Sequence, residues 1–177
     1  MPKRIVAISL RWLLHGLSGA GHKGMPGSWP EGSFPNLNTD TCKITSAATK
    51  KYNCLAWAAK ETHRRWEPDR QGIYYWPRGV PRQMTMEAFV LAYETLGFRI
   101  CFSNALESGI EKLALYGRDH GGSVVPTHAA VQLENGVWSS KLGDCEDIEH
   151  TTADAVGGPA YGRPLIYLQR ARASSNF

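Results

Sequence analysis

Cys54 stands where a thiol could act as a nucleophile. It follows Tyr52-Asn53 and opens the run Leu55-Ala56-Trp57-Ala58-Ala59, whose apolar pattern predicts a helix continuing to about Arg65. Asn53 is a good N-cap residue. A thiol in the first turn of a helix feels the positive end of the macrodipole, which lowers its pKa and raises the thiolate fraction. The same turn leaves backbone N–H groups unpaired, and these can stabilise an oxyanion on a carbonyl under attack. Cys54 would therefore supply a nucleophile and part of an oxyanion hole, with Asn53 supporting it. Cys42, Cys101 and Cys145 lack such a setting and read as structural.

A nucleophilic thiol needs a proton acceptor. His128 heads the strand-like run Thr127-His128-Ala129-Ala130-Val131-Gln132-Leu133, and the small Ala129 and Ala130 leave room for a helix to approach. A third polar group should orient the imidazole and fix its tautomer. The hairpin after His128 decides which. A two-residue turn at Asn135-Gly136 would oppose Ala130 to Lys141 and point Ser140 away. A three-residue loop, Glu134-Asn135-Gly136 with Gly136 in the left-handed region, opposes Ala130 to Ser140. His128 and Ser140 then share a sheet face, one diagonal step apart. The second register is preferred, and Asp144 is the alternative orienter.

The surrounding elements must hold these groups. Residues 16–41 are rich in Gly, Pro, Ser and Asn and read as loop, so 1–40 is expected to be a loop-rich N-terminal arm, with a short helix or strand over residues 1–15. The arm could cover the cleft. Residues 41–177 form the compact domain. Thr85 caps a second predicted helix through Phe89, Val90, Tyr93 and Leu96, stopped by Gly97. Strands follow at 98–102, 112–116, 127–134, 137–142 and 164–169, with at most one helical turn at 151–156. The expected fold class is α+β, N-terminal helices packed on an antiparallel β-meander.

The chain has 177 residues, 42% hydrophobic and 20% charged, which suits one globular domain and excludes collagen-like, coiled-coil and wholly disordered classes. A net charge of +4 is too small to argue for nucleic acid. Four cysteines without a C-x-x-C pair fit free thiols in a reducing compartment. Lys3-Arg4 before Ile5–Leu10 resembles a signal-peptide start, but Arg11 and His15 interrupt it. No apolar run reaches the ~18 residues of a membrane span. The expected location is the cytoplasm, with a secreted effector as the alternative.

Other motifs fail on physical grounds. Gly19-Ala20-Gly21-His22-Lys23-Gly24 matches a dinucleotide fingerprint in letters, but Met25-Pro26-Gly27 after it cannot open a long helix. Asp144 to His150 reads as a solvated acidic turn rather than a metal site. The stretch 63–82 interleaves Arg64, Arg65, Arg70, Arg78 and Arg82 with Trp66, Tyr74, Tyr75 and Trp76, a pattern that can hold single-stranded nucleic acid. Glu67 and Asp69 offset two of those charges, which favours a groove or core role for the rings.

At Asn53-Cys54, with a histidine heading a meander strand further on, the chain resembles the papain-like cysteine hydrolases. The NlpC-type peptidases and amidases are nearest in layout. The resemblance implies a nucleophile at Cys54, a base at His128 and a third group at Ser140, twelve residues later. The wording Tyr52-Asn53-Cys54-Leu55-Ala56-Trp57, Tyr75-Trp76-Pro77, Thr127-His128-Ala129-Ala130 and Ser140-Lys141-Leu142-Gly143 also resembles a group of uncharacterised bacterial domains over roughly residues 52–168.

The functional expectation is a thiol peptidase or amidase working through an acyl-enzyme. Cys54, His128 and Ser140 form its catalytic set, and Trp57 and Trp76 line its cleft. It requires no metal or cofactor. The expected partner is a peptide or other amide-containing substrate, or a protein target, with nucleic acid and membrane disfavoured. Two alternatives stand beside it: an acyl or peptidyl transferase or toxin-type effector on the same fold, and a non-enzymatic module binding nucleic acid or protein through loop 63–82.

Overall fold

The structure is a computed structural model that describes residues 27–173. The element expected over 1–15, the signal-like start, the Gly19–Gly24 run and most of the expected arm lie outside the described residues.

One antiparallel sheet dominates the molecule. Its strands are β1 (Cys42–Ile44), β2 (Arg99–Cys101), β3 (Ile110–His120), β4 (Ser123–Gln132), β5 (Trp138–Lys141), β6 (Asp147–His150) and β7 (Arg163–Ala171). They lie in the order β1-β6-β5-β4-β3-β7-β2. Among the described residues the α-helices are α1 (Cys54–Ala58) and α2 (Met86–Glu94), joined later by a 3₁₀ turn at Ala153–Val156. This corrects the expected fold class: the N-terminal half is not a helical layer on a meander. Its described part is mostly loop, laid over a seven-stranded sheet.

The predicted helix from Asn53 to Arg65 shrinks to α1 for an identifiable reason. Lys60 adopts a left-handed conformation, φ +61°. Its N–H donates to the Trp57 carbonyl and the Glu61 N–H to the Ala56 carbonyl, both at 2.9 Å. That pair of bonds is the Schellman stop, which usually recruits glycine. Here a lysine takes the position, and its ammonium pairs with Glu111 on β3 at 2.7 Å. Glu111 is buried and also accepts from Arg170 on β7 at 2.8 Å.

Both faces of the sheet are covered. On one, Leu113, Leu115, Ala129 and Leu168 pack against α1, α2 and the rings of Trp66 and Trp76. Ala129, with no side chain beyond Cβ, lets α1 settle on β4. The Tyr93 hydroxyl donates to the Leu55 carbonyl at 2.8 Å and ties α2 to α1. On the other face Ala114, Tyr116, Ala130, Trp138 and Ile148 pack under Phe34 and the segment through Ala153, Val156 and Tyr161. Phe34 is buried against Tyr161, so residues just before 41 pack on this face, not over the Cys54 pocket.

The hairpin from β4 to β5 pairs Ala130 with Ser140, and Gly136 sits at φ +85°. Irregularities fall together on β3: its register with β4 shifts between Tyr116 and Gly117, and with β7 between Leu115 and Tyr116. Such bulges re-aim side chains. Here Thr127 is the residue without a partner, next to His128.

Burial pushes the Glu111 carboxyl up, but hydrogen bonds from Lys60 and Arg170 outweigh it and leave it below the usual range. A depressed carboxylate stabilises the fold above its unfolded pKa, and that contribution is lost as pH falls through the folded one. Glu111→Gln should cost about 3 kcal/mol at pH 7. Urea unfolding should show the deficit shrinking as pH drops below about 4. A deficit independent of pH would contradict the ionic role.

Candidate functional site

Asn53, on which the approach to α1 depends, is buried and bonded at both amide atoms. Its Oδ1 accepts from the Ala56 N–H and the Trp66 N–H, each at 3.2 Å, and its Nδ2 donates to the Trp66 carbonyl at 2.7 Å. One side chain thus caps the helix and clamps the loop that returns beneath it. Its amide groups are committed to the scaffold.

Cys54 is the first residue of α1 and is 8% exposed. It lines a pocket of about 100 Å³ with Asn53, Arg65, Glu67, Thr127, Asp144 and Tyr161 among its walls. Burial pushes the thiol up to about 11, against the backbone amides of Ala129, Leu55 and Cys54 and the charge of Arg65, which pull it down. The expectation of an acidic thiol is therefore corrected. The helix-terminal amides act in the expected direction, but desolvation is larger and α1 is short.

His128 is completely buried. Strand alternation turns it to the face of Tyr116, Ala130 and Ser140, whereas Cys54 belongs to the core on the Ala129 face. The β4–β5 pairing starts at Ala130, so His128 lies two residues beyond the last paired residue. The thiol and the ring are not hydrogen-bonded to each other, since His128 Nδ1 has no partner. Tyr161 connects the two regions: its ring stacks on His128 at 3.9 Å and 7°, and it also lines the Cys54 pocket. Tyr116 meets the imidazole edge-on at 5.1 Å.

The other ring nitrogen enters a buried chain. His128 Nε2 lies 3.0 Å from Ser140 Oγ, Ser140 Oγ lies 2.9 Å from His150 Nε2, and His150 Nδ1 lies 2.7 Å from the Thr152 carbonyl. Proton positions follow from elementary chemistry. A carbonyl only accepts, so His150 Nδ1 carries a hydrogen. Burial holds His150 down to about 4, so the ring is neutral and its Nε2 is bare. The one hydroxyl proton of Ser140 must then point to His150. Ser140 Oγ is left to accept, and the hydrogen it accepts is on His128 Nε2. Burial, with the neighbouring His150, keeps His128 well below its ordinary pKa. His128 is thus a neutral imidazole whose Nδ1 carries a bare lone pair, buried and unpartnered.

His150 was missed by sequence reasoning. It ends a run of acidic residues that reads as a turn, but Asp147–His150 is β6, which pairs with both β5 and β1. The usable signal was period two: Ile148 and His150 alternate with Asp147 and Glu149. Asp144 is not bonded to His128. It stands at the pocket wall, paired with Arg65 at 2.6 Å. Trp57 and Trp76 do not line the cleft. The Trp57 N–H donates to Ser139 Oγ at 3.1 Å and its ring stacks on Tyr52. Trp76 is buried against Phe89, its N–H given to the Pro81 carbonyl at 3.1 Å. Several arginines of loop 63–82 are committed internally: Arg64 to Glu61 and the Tyr75 face, Arg65 to Asp144, and Arg82 to Asp69.

The chain of bonds makes a spectroscopic prediction. ¹⁵N-edited NMR should find His128 as the Nε2–H tautomer and neutral at pH 6. Ser140→Ala removes the acceptor and should release that preference, whereas an Nδ1–H signal in the wild type would contradict the assignment. Asn53→Ala should lower stability by about 1–2 kcal/mol in thermal unfolding, through the lost cap. A neutral effect would show the cap to be dispensable.

No described helix is long and apolar enough to cross a membrane. Comparison with curated proteins and with solved structures found no match. One family model, described as a domain of unknown function (DUF7689), matches residues 43–169. That stretch holds Cys54, His128, Ser140 and His150, and it covers most of the chain, which therefore belongs to the DUF7689 family.

Proposed function

We propose that this chain is a cysteine hydrolase that cleaves an amide bond through an acyl-enzyme, with Cys54 as nucleophile and His128 as base. The observation that carries the reading is the bare, buried Nδ1 of His128, oriented from behind by Ser140 and left without a partner. An unsatisfied buried acceptor costs about 1–3 kcal/mol, so its retention calls for a role. The thiol of Cys54, which lines a pocket together with Tyr161, the ring stacked on His128, carries the proton this acceptor would take.

The steps balance in protons and bonds. A substrate amide enters the pocket, and the thiol turns toward His128. Nδ1 takes the S–H proton as the sulfur bonds to the carbonyl carbon, and the π electron pair moves onto oxygen. The tetrahedral species collapses, the C–N bond breaks, and Nδ1–H passes its proton to the leaving amine. Water then repeats the sequence on the thioester, with His128 again as base, and releases the acid. In each half the imidazolium is transient, and Ser140 keeps accepting from Nε2–H throughout.

The resting pair is neutral, which sets the pH dependence. A thiol near 11 ionises little at pH 7, so reactivity must flow through His128. His128 stays unprotonated across the neutral range because its pKa is lowered. Alkylation of Cys54 by iodoacetamide, followed by peptide mass spectrometry, should show a plateau from about pH 6 to 9. A rising limb should follow above it. His128→Gln should abolish the plateau and leave only the limb, with a loss of about 10²-fold or more at pH 7. Identical profiles for the two proteins would overturn the proposal.

A further inference from the structure

Tyr161 presents a second orphan beside the first. Its phenol is buried and its hydroxyl has no hydrogen-bond partner. Buried tyrosine hydroxyls usually find one. The ring lies flat on His128, whose Nδ1 is the orphaned acceptor, and it lines the same pocket as Cys54. Two stacked rings thus carry one unpaired acceptor and one unpaired donor, and the ring with the donor shares a pocket with the thiol. Addition of a thiol to a carbonyl generates these two demands: a proton must leave sulfur, and a negative charge must be met on oxygen.

The loop that carries Tyr161 is built to hold it. Gly158 and Gly162 close a tight turn, N–H to carbonyl in both directions, at 2.8 and 2.7 Å. Gly162 sits at φ +72°, and a Cβ there would lie 2.1 Å from the Gly117 carbonyl, so only glycine fits. The Tyr161 carbonyl accepts from Thr127 Oγ1 at 2.6 Å, joining this loop to the residue before His128. Burial, then the charges of Cys54, Cys145 and Asp144, pushes the phenol well above its ordinary range. The group therefore remains an O–H donor at every working pH.

We infer that Tyr161 is a further catalytic residue, whose hydroxyl donates a hydrogen bond to the oxyanion formed when the Cys54 thiol adds to a carbonyl. The inference rests on the hydrolase reading above. The substrate class it selects is a carbonyl that becomes tetrahedral, an amide or thioester, rather than a centre attacked by simple displacement. No proton is transferred from the phenol. The sulfur–carbon bond forms, the carbonyl π pair moves to oxygen, His128 Nδ1 holds the proton, and Tyr161 O–H contacts the new oxyanion.

The test uses Tyr161→Phe, which keeps the ring and removes one oxygen. The probe is N-acetylglycinal carrying ¹³C at the aldehyde carbon, which forms a tetrahedral hemithioacetal with a reactive thiol. Its dissociation constant is read from the ¹³C signal. Iodoacetamide alkylation of Cys54 develops no oxyanion and reports whether the thiol and His128 remain in place. The expected result is hemithioacetal on the wild type, weakened about 10²-fold in Tyr161→Phe, with Cys54 alkylated in both at similar rates. Equal aldehyde affinity in the two proteins would overturn the role of Tyr161 and leave the thiol reading intact. Absence of both the hemithioacetal and base-assisted alkylation in the wild type would overturn the thiol reading and the inference with it. If Tyr161→Phe lost alkylation together with aldehyde binding, a packing role would replace the proposed one. Tyr161→Leu, which removes the stack as well, should by contrast impair both readouts.

Discussion

A single backbone carbonyl, that of Thr152, settles the protonation of a ring it never touches. Because it can only accept, it forces a hydrogen onto His150 Nδ1, and each following partner is then constrained in turn until His128 is left with its proton on Nε2. The arrangement works only in a dry interior. In water each ring could exchange partners and tautomers freely. The sheet supplies the dryness: His128, Ser140 and His150 are all buried beneath Tyr161 and its neighbours. It also supplies the spacing, since adjacent strands place Ser140 between the two imidazoles.

The same dryness opposes the thiol's ionisation. Desolvation pushes the Cys54 thiol up by more than the Ala129 amide, Arg65 and the helix-end amides pull it down. The winner decides the style of chemistry. An ion pair formed in advance needs net stabilisation of both charges at rest, and burial outweighs what stabilisation there is here. In the proposed hydrolase a neutral thiol and imidazole instead move the proton during the reaction, as serine-based sites do. The pocket walls carry the polar groups Arg65, Asp144 and Glu67, and His128 is not among their residues.

The parts of this molecule written in short-range patterns were legible in the sequence. The three-residue loop Glu134-Asn135-Gly136 places Ala130 opposite Ser140, and Thr85 and Gly97 bracket α2. The parts that depend on distant partners were not. Nothing near Lys60 signals a stop, because its left-handed backbone is held by Glu111, which lies fifty-one residues away. β1 has three residues and is defined only by its pairing to β6. The side of the sheet on which His128 lies, and the existence of His150 as its remote anchor, emerge only when β5 and β6 are laid beside β4. Tryptophans read as cleft walls proved to be braces, because a large ring near a nucleophile is also what a small helix needs to stay docked.

A sulfur that rests as the thiol has a chemical advantage that an acidic one lacks. Peroxides and disulfides attack thiolates, and the ladder from sulfenic to sulfonic acid begins there. With its pKa near 11 and 8% of its surface open, Cys54 offers such oxidants little to react with. The burial that slows its ionisation is thereby also its protection, and the chain could persist in surroundings that would inactivate a site built on a standing anion.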